Sequence, residues 1–320
     1  MRAIFYKEFG PAEVLQLGDV PMPEPAPDEV LVKVAYAGVN PIDRRLRGGE
    51  LQEFFTREWP LTPGWDVSGQ IVKVGKAVDG WKPGDDIVGL AFTWSLHHGT
   101  YAEFVPVKAA SIAAKPAEIP FDKAAALPLV SLTAWESLAE YAELKPGQTV
   151  LIQAGAGGLG SAAIAIAKYL GARIYTTTRK ANFDYVKGRG AFHAIDYTTE
   201  NYESVIKAME PNGLDVVLES LLGEGIAEAA IRLAKPGGTV VYMNNEPPDM
   251  PEIASNNIKT KFLHHRPDGE SLGRLMKLYQ QAKLPLPPVE VLPLSAAVEA
   301  HKRSEGGHTR GKLVLKVQDM

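Results

Sequence analysis

The spacing of apolar and β-branched positions changes along this chain, and the change divides it into parts. From Met1 to about Ala117, short β-branched runs stand at Val30 to Val34, Ser68 to Val74, Ile87 to Gly89 and Tyr101 to Val107. Pro and Gly turns such as Trp81-Lys82-Pro83-Gly84-Asp85 separate them, so the pattern predicts a partly antiparallel, barrel-like unit. From about Phe121 to His265 the texture becomes alternating. Strand-like runs (Val150 to Gln153, Arg173 to Thr178, Phe192 to Ile195, Leu214 to Glu219, Thr239 to Met243) are interleaved with helix-like stretches that include Leu159 to Leu170 and Gly225 to Ala234. That alternation predicts an α/β, doubly wound parallel sheet. Lys259 to Leu263 is a candidate sixth strand. Beyond about Pro267 the pattern predicts one helix (Ser271 to Ala282), a proline-rich link and a last strand, Lys312 to Val317.

Composition narrows the chemistry. The chain has 320 residues, 45 % of them apolar and 22 % charged, ordinary values for a soluble globular protein of one large or two medium domains. Both signs of charge are interspersed around a net −4, so no basic field invites nucleic acid or an anionic membrane. The absence of cysteine removes disulfides, thiolate metal ligands and a cysteine nucleophile together, and it fits a cytoplasmic protein. The amino-terminal segment lacks the apolar core of a signal peptide, and no run approaches the ~20 apolar residues needed to cross a bilayer.

The most informative segment is Gln153-Ala154-Gly155-Ala156-Gly157-Gly158-Leu159-Gly160. It sets G-x-G-x-x-G between a strand and a helix whose Leu159, Ala162, Ala163, Ile166, Ala167 and Leu170 recur at helical spacing on one face. Glycines there let the backbone turn tightly and approach a pyrophosphate, and the helix start aims free N–H groups at that anion. Gly155, Gly157, Gly158, Leu159 and Gly160 are therefore candidate cofactor ligands; the plain alternative is a loop that only joins strand to helix. At the end of the second strand an acidic residue would favour a free ribose 2′-hydroxyl, but the sequence runs Thr178-Arg179-Lys180. Thr178 can hydrogen-bond a 2′-phosphate, and Arg179 and Lys180 can pair with it, which selects NADPH; the alternative is a solvated basic pair.

A series of motifs then runs in order: Ala37-Gly38-Val39-Asn40-Pro41-Ile42-Asp43, Pro63-Gly64-Trp65-Asp66-Val67-Ser68-Gly69, Gly84-Asp85-Asp86-Ile87-Val88, Gly99-Thr100-Tyr101-Ala102-Glu103, Ala125-Ala126-Leu127-Pro128, Leu132-Thr133-Ala134-Trp135 and, at the end, Gly311-Lys312-Leu313-Val314-Leu315. This order resembles the zinc-independent quinone oxidoreductase branch of the medium-chain dehydrogenase/reductase superfamily, over almost the whole chain. The resemblance implies a GroES-like catalytic domain (1–120 and 268–320) and a Rossmann dinucleotide-binding domain (121–267), with the tail returning to the first. It implies that Thr133 lies near the nicotinamide carboxamide, that Tyr197 lines the adenosine phosphate pocket and that Arg310 is a further phosphate contact. It also places Asn244 and Asn245 against the nicotinamide half, and Asn40 and Asp43 at the substrate. Zinc alcohol dehydrogenases carry a Cys and a His-Glu pair where this chain has Asn40 and Trp65-Asp66, so no metal site is expected.

The activity implied is NADPH-dependent reduction of quinones or other α,β-unsaturated carbonyl compounds by direct hydride transfer. An acyl or alkenal reductase of the same superfamily is the enzymatic alternative, and an NADPH-binding sensor, structural or RNA-binding protein is the non-enzymatic one. The resemblance also implies a homodimer, with 259–265 as a candidate interface strand. His97-His98 and His264-His265 are read as loop and strand or interface material, because neighbours on a strand point to opposite faces and cannot share a metal. Asp43 and Asp66 each have a structural reading beside the functional one: a carboxylate bonded to backbone for Asp43, a partner for a nearby base for Asp66. Trp94 and Tyr101 either stack on a flat acceptor or fill core.

Overall fold

A computed structural model of the protein describes residues 1–264 and 266–320. Two compact units account for it: Met1–Leu132 with Arg266–Ala282 and Leu286–Met320, and Thr133–His265 with Lys283–Pro285.

The second unit is built on a six-stranded sheet, all of whose neighbouring strands are parallel. Its strands are, in chain order, Thr149–Ile152, Arg173–Thr178, His193–Asp196, Leu214–Glu219, Ala234–Tyr242 and Lys259–Phe262, and in space they lie 3-2-1-4-5-6. This is the doubly wound arrangement the alternating pattern predicts, and the order reverses beside the first strand, where such folds bind dinucleotides. The inner strands Thr149–Ile152 and Leu214–Glu219 are buried on both faces and read as near-continuous apolar runs, as parallel strands do, whereas the edge strand Lys259–Phe262 has no buried residue. The helix Gly158–Tyr169 departs from the one-faced expectation: every residue from Gly160 to Ala167 is buried. Its small side chains permit that, because the sheet and the helix Phe183–Arg189 both pack on it, and Arg189 Nε donates to Ser161 O at 3.0 Å.

In the first unit the strand Glu29–Gly38 is the centre of a mainly antiparallel sheet. It pairs with Asp66–Val74, Phe104–Lys108 and Lys312–Lys316. Seven of its ten residues are buried rather than every second one, so both faces of the strand are covered. The tail holds more than the pattern predicts. Beside the helix Gly269–Gln280 there is a strand, Val289–Pro293, parallel to Lys312–Lys316, and a helix, Ala297–Glu305. Pro287 and Pro288 hide the strand in the sequence, and the helix is a short one that buries only Ala297, Ala300 and His301. Residues 121–132 are tied to this unit by Ser68 Oγ donating to Phe121 O at 2.7 Å and by Leu129 N donating to Asp66 at 2.8 Å.

Candidate functional site

In the second unit the glycine-rich turn leaves the strand Thr149–Ile152 and enters the helix Gly158–Tyr169. Gly155 N donates to Thr177 O at 3.0 Å, and Gly157 N to Ala154 O at 2.9 Å, so the turn is closed on itself and on the second strand. No side chain caps the helix start at Gly157. The first N–H groups of any helix lack intrahelical acceptors, so Gly158, Leu159 and Gly160 present donors at a positive dipole end. Two glycines are needed for different reasons. A Cβ on Gly160 would stand 2.3 Å from Ala154 O and 2.7 Å from Gly155 Cα, so the helix can approach the turn only without one. A Cβ on Gly157 would meet only Ala154 O, at 3.4 Å; its lack of a side chain serves the space outside. An uncapped helix start with bare backbone toward open space fits a pyrophosphate.

Beside this turn, at the ends of the second and third strands, several of the residues singled out in the sequence come together. Thr178 is buried at 3 % exposure and closes its strand. Arg179 is exposed, and its Nε donates to the Tyr197 hydroxyl at 3.2 Å. Lys180 N donates to Asp196 Oδ2 at 3.2 Å. The Asp196 carboxyl also accepts from the Thr198 hydroxyl and amide, which holds its pKa below the usual range. Asn244 and Asn245 follow the fifth strand, and their Nδ2 groups donate to Ser220 O and Leu221 O at 2.8 and 2.9 Å, bracing the turn after the fourth. Glu219, the last residue of the fourth strand, is fully buried, and burial pushes its carboxyl up to about 7. Thr133 begins this unit, 5 % exposed, its carbonyl accepting from Ser137 Oγ at 2.6 Å.

In the first unit Asn40 and Asp43, each 1 % exposed, start the helix Pro41–Arg47. Asp43 Oδ2 accepts from Asn40 N at 2.8 Å and from the Tyr101 hydroxyl at 3.1 Å, while Oδ1 is buried without a partner. Burial pushes this carboxyl up to about 7. Tyr101 is itself fully buried and is core, whereas Trp94 is 56 % exposed and packs edge-on to Phe92. Asp66 meets the nearby base that one reading asked for: Lys312 Nζ lies 3.4 Å from its Oδ2, and Asn40 Nδ2 donates to the same oxygen at 2.9 Å. Arg310 lies in this unit, exposed, just before the strand Lys312–Lys316.

His97-His98 is the loop pair expected, but not for the reason of opposite strand faces. His97 and His98 are not on opposite faces: they follow the strand Ser95–Leu96, where the chain is irregular, and their rings are 3.9 Å apart. Both line a cavity of about 20 Å³ with Asp43 and Trp65, room for about one water. Burial and the neighbouring His97 push His98 down to about 4. No cluster of three metal-ligating side chains occurs among the described residues. His264 packs its ring on Phe262, and His265, the end of the candidate interface segment, lies outside the described residues. No helix among the described residues is long and apolar enough to cross a membrane.

A parallel sheet in 3-2-1-4-5-6 order with a bare glycine turn at its reversal point defines a dinucleotide-binding protein, here joined to an antiparallel β unit. Comparison with known proteins sharpens this. Residues 26–117 match the family described as alcohol dehydrogenase GroES-like domain, and 189–315 the family described as zinc-binding dehydrogenase. A 2-methylene-furan-3-one reductase of Solanum lycopersicum is 33 % identical over 98 % of this chain and 79 % of its own length. A chloroplastic NADPH-dependent alkenal/one oxidoreductase of Arabidopsis thaliana is 32 % identical over the same shares. Among solved structures, a quinone oxidoreductase from Coxiella burnetii superposes with a TM-score of 0.89 at 35 % identity, covering 99 % of both chains. The chain belongs to the medium-chain dehydrogenase/reductase superfamily, in its zinc-independent, quinone oxidoreductase-like branch.

The zinc in one family description does not fit these residues. Asn40 and Asp66 stand where zinc relatives place ligands, and the Lys312 ammonium already donates to Asn40 Oδ1 and faces Asp66 Oδ2, so a cation holds the oxygens a metal would need.

Proposed function

We propose that the protein reduces α,β-unsaturated carbonyl compounds, quinones among them, with hydride from NADPH and without a metal. The observation that carries this reading is the uncapped helix start behind Gly157, which leaves bare backbone donors where a dinucleotide pyrophosphate docks. The activities in the names of its relatives support the acceptor class and the cofactor.

Gly155, Gly157, Gly158, Leu159 and Gly160 hold the pyrophosphate in this account. Thr178, Arg179, Lys180 and Tyr197 surround the 2′-phosphate, with Arg310 as a further phosphate contact. The amide-bearing turn at Asn244 and Asn245 meets the nicotinamide half, and Thr133 its carboxamide. Asn40 and Asp43 serve the acceptor. NADPH, when bound, supplies the hydride. The first unit acts as the catalytic domain and the second as the cofactor domain. The protein acts as a cytoplasmic homodimer with no nucleic-acid partner: its net charge of −4 offers phosphates little, and the edge strand Lys259–Phe262 has one unpaired side to offer a second copy.

Titration with NADPH and NADH, followed by NADPH oxidation against a panel of enones and quinones, tests the proposal. Tighter binding of NADPH with turnover of at least one acceptor class is expected. Binding without turnover would leave a cofactor-binding protein and no reductase.

A further inference from the structure

The second unit holds a polar cleft of about 250 Å³ that the dinucleotide reading does not use. Lys145, Gln148, Asp215, Lys235, Thr239 and Lys259 line it, with Glu143 beside them. These residues stand at or just before the amino ends of their strands, whereas the glycine turn leaves the carboxyl end of Thr149–Ile152. The cleft is therefore at the other end of the same sheet. Most of its acceptors are already occupied. Asp215 Oδ1 accepts from Gln148 Nε2 at 3.1 Å and lies 2.5 Å from Lys235 Nζ, and its Oδ2 accepts from Thr149 N and Oγ1, both at 2.9 Å. Gln148 Oε1 accepts from Lys145 N at 2.8 Å. The donors are not occupied. Lys145 and Lys259 are exposed, and among the described residues neither ammonium meets a carboxylate. Thr239 is 6 % exposed, and its hydroxyl has no partner among the described residues either. It pairs in register with Lys259 on the neighbouring strand, so the two side chains leave the sheet on one face. Three ammonium groups thus share the cleft with two carboxylates, one of which is already neutralised. Such an excess of charged donors suits a ligand that is anionic and rich in acceptors.

We propose that this cleft is a second anion site, which binds phosphate or a small phosphomonoester at the same time as the dinucleotide. Lys145 and Lys259 supply the charge and Thr239 a neutral donor. A tetrahedral dianion turns acceptor oxygens toward several walls at once, which a planar carboxylate does not. The volume is near the lower end of the range for small-molecule sites, so a short organic group fits beside the phosphate. Pairing of the edge strand with a second copy engages backbone groups and does not consume the Lys259 ammonium.

Calorimetric titration of the NADPH-saturated protein with inorganic phosphate, glycerol 3-phosphate and succinate tests this. Bound NADPH keeps phosphate out of the glycine turn. Saturable binding of phosphate or its ester is expected, and tighter binding of glycerol 3-phosphate would identify an ester as the ligand. Lys145→Gln combined with Lys259→Gln should weaken it by about tenfold or more, the loss of at least one charge-assisted hydrogen bond. Lys76→Gln combined with Lys82→Gln removes the same charge from exposed positions of the first unit and should bind as the wild type does. Absence of saturable phosphate binding, a preference for succinate, or an equal loss in both double variants overturns the proposal. Failure of NADPH to bind would instead strike the dinucleotide reading, and the two double variants titrated without NADPH would still decide this one.

Discussion

Replacing Gly157 and Gly160 by alanine, one at a time, separates what holds the turn together from what binds cofactor. At Gly160 the added methyl meets backbone at 2.3 and 2.7 Å, and neither atom can rotate away. Overpacking of that kind costs about 1–3 kcal/mol, and in a domain of this size each kcal/mol lowers Tm by about 2–4 °C. At Gly157 the new Cβ meets a single atom at 3.4 Å, and the backbone φ of −74° is one alanine adopts freely. Its stability cost is that of an alanine N-cap, about 0.5–1 kcal/mol. On the proposed reading, the methyl stands where the pyrophosphate approaches. Losing one charge-assisted backbone hydrogen bond costs about 1.5–3 kcal/mol, or roughly 10- to 150-fold in Kd. Fluorescence titration with NADPH and a thermal melt of each variant read both quantities. Gly157→Ala should keep its Tm within about 4 °C while its NADPH Kd rises at least about tenfold. Wild-type affinity in Gly157→Ala would refute the docking of phosphate at this helix.

Three further outcomes follow from the same geometry. Replacing Arg179 and Lys180 together by alanine should cost NADPH about tenfold or more in Kd and leave NADH almost unchanged, because only the 2′-phosphate distinguishes them; equal losses for the two cofactors would move the phosphate elsewhere. Burial raises the Glu219 carboxyl to about 7, so the folded chain holds a proton there that the unfolded chain releases near 4.3. The stability this gives is complete below the unfolded value and is lost as pH rises through about 7. Glu219→Gln should therefore gain in Tm relative to wild type between pH 5 and about 8, and a constant difference would deny the shift. Arg47 is 3 % exposed and bonds Gly10 O, His301 Nδ1 and Glu305 at 3.1, 2.9 and 2.6 Å, so Arg47→Ala should cost about 3 kcal/mol in urea unfolding with NADPH affinity retained.

The second unit was the more legible in sequence. Parallel strands buried on both faces read as apolar runs, and Arg173–Thr178 and Leu214–Glu219 stand where those runs predict them. The glycine turn was readable because its neighbours, strand before and helix after, are local. The first unit was harder to read because its order comes from pairings between distant segments: Lys312 meets Asn40 across 272 residues, and no local pattern reports that. A lysine opening the buried run Lys312-Leu313-Val314-Leu315 is the one hint, since a strand covered on its flanks does not keep an unpaired ammonium. Helical periodicity suggested a single buried face for Gly158–Tyr169; alanines small enough to be covered on every side made that inference too narrow.

Hydride transfer itself is the most direct test of the whole account. Protein dialysed against a chelator would be given NADPH carrying deuterium at the transferable C4 position, together with an enone, and the product analysed by mass and NMR. The account predicts a saturated ketone with deuterium at the β-carbon, at a rate that added zinc does not raise. No deuterated product, or product only after zinc is supplied, would contradict it.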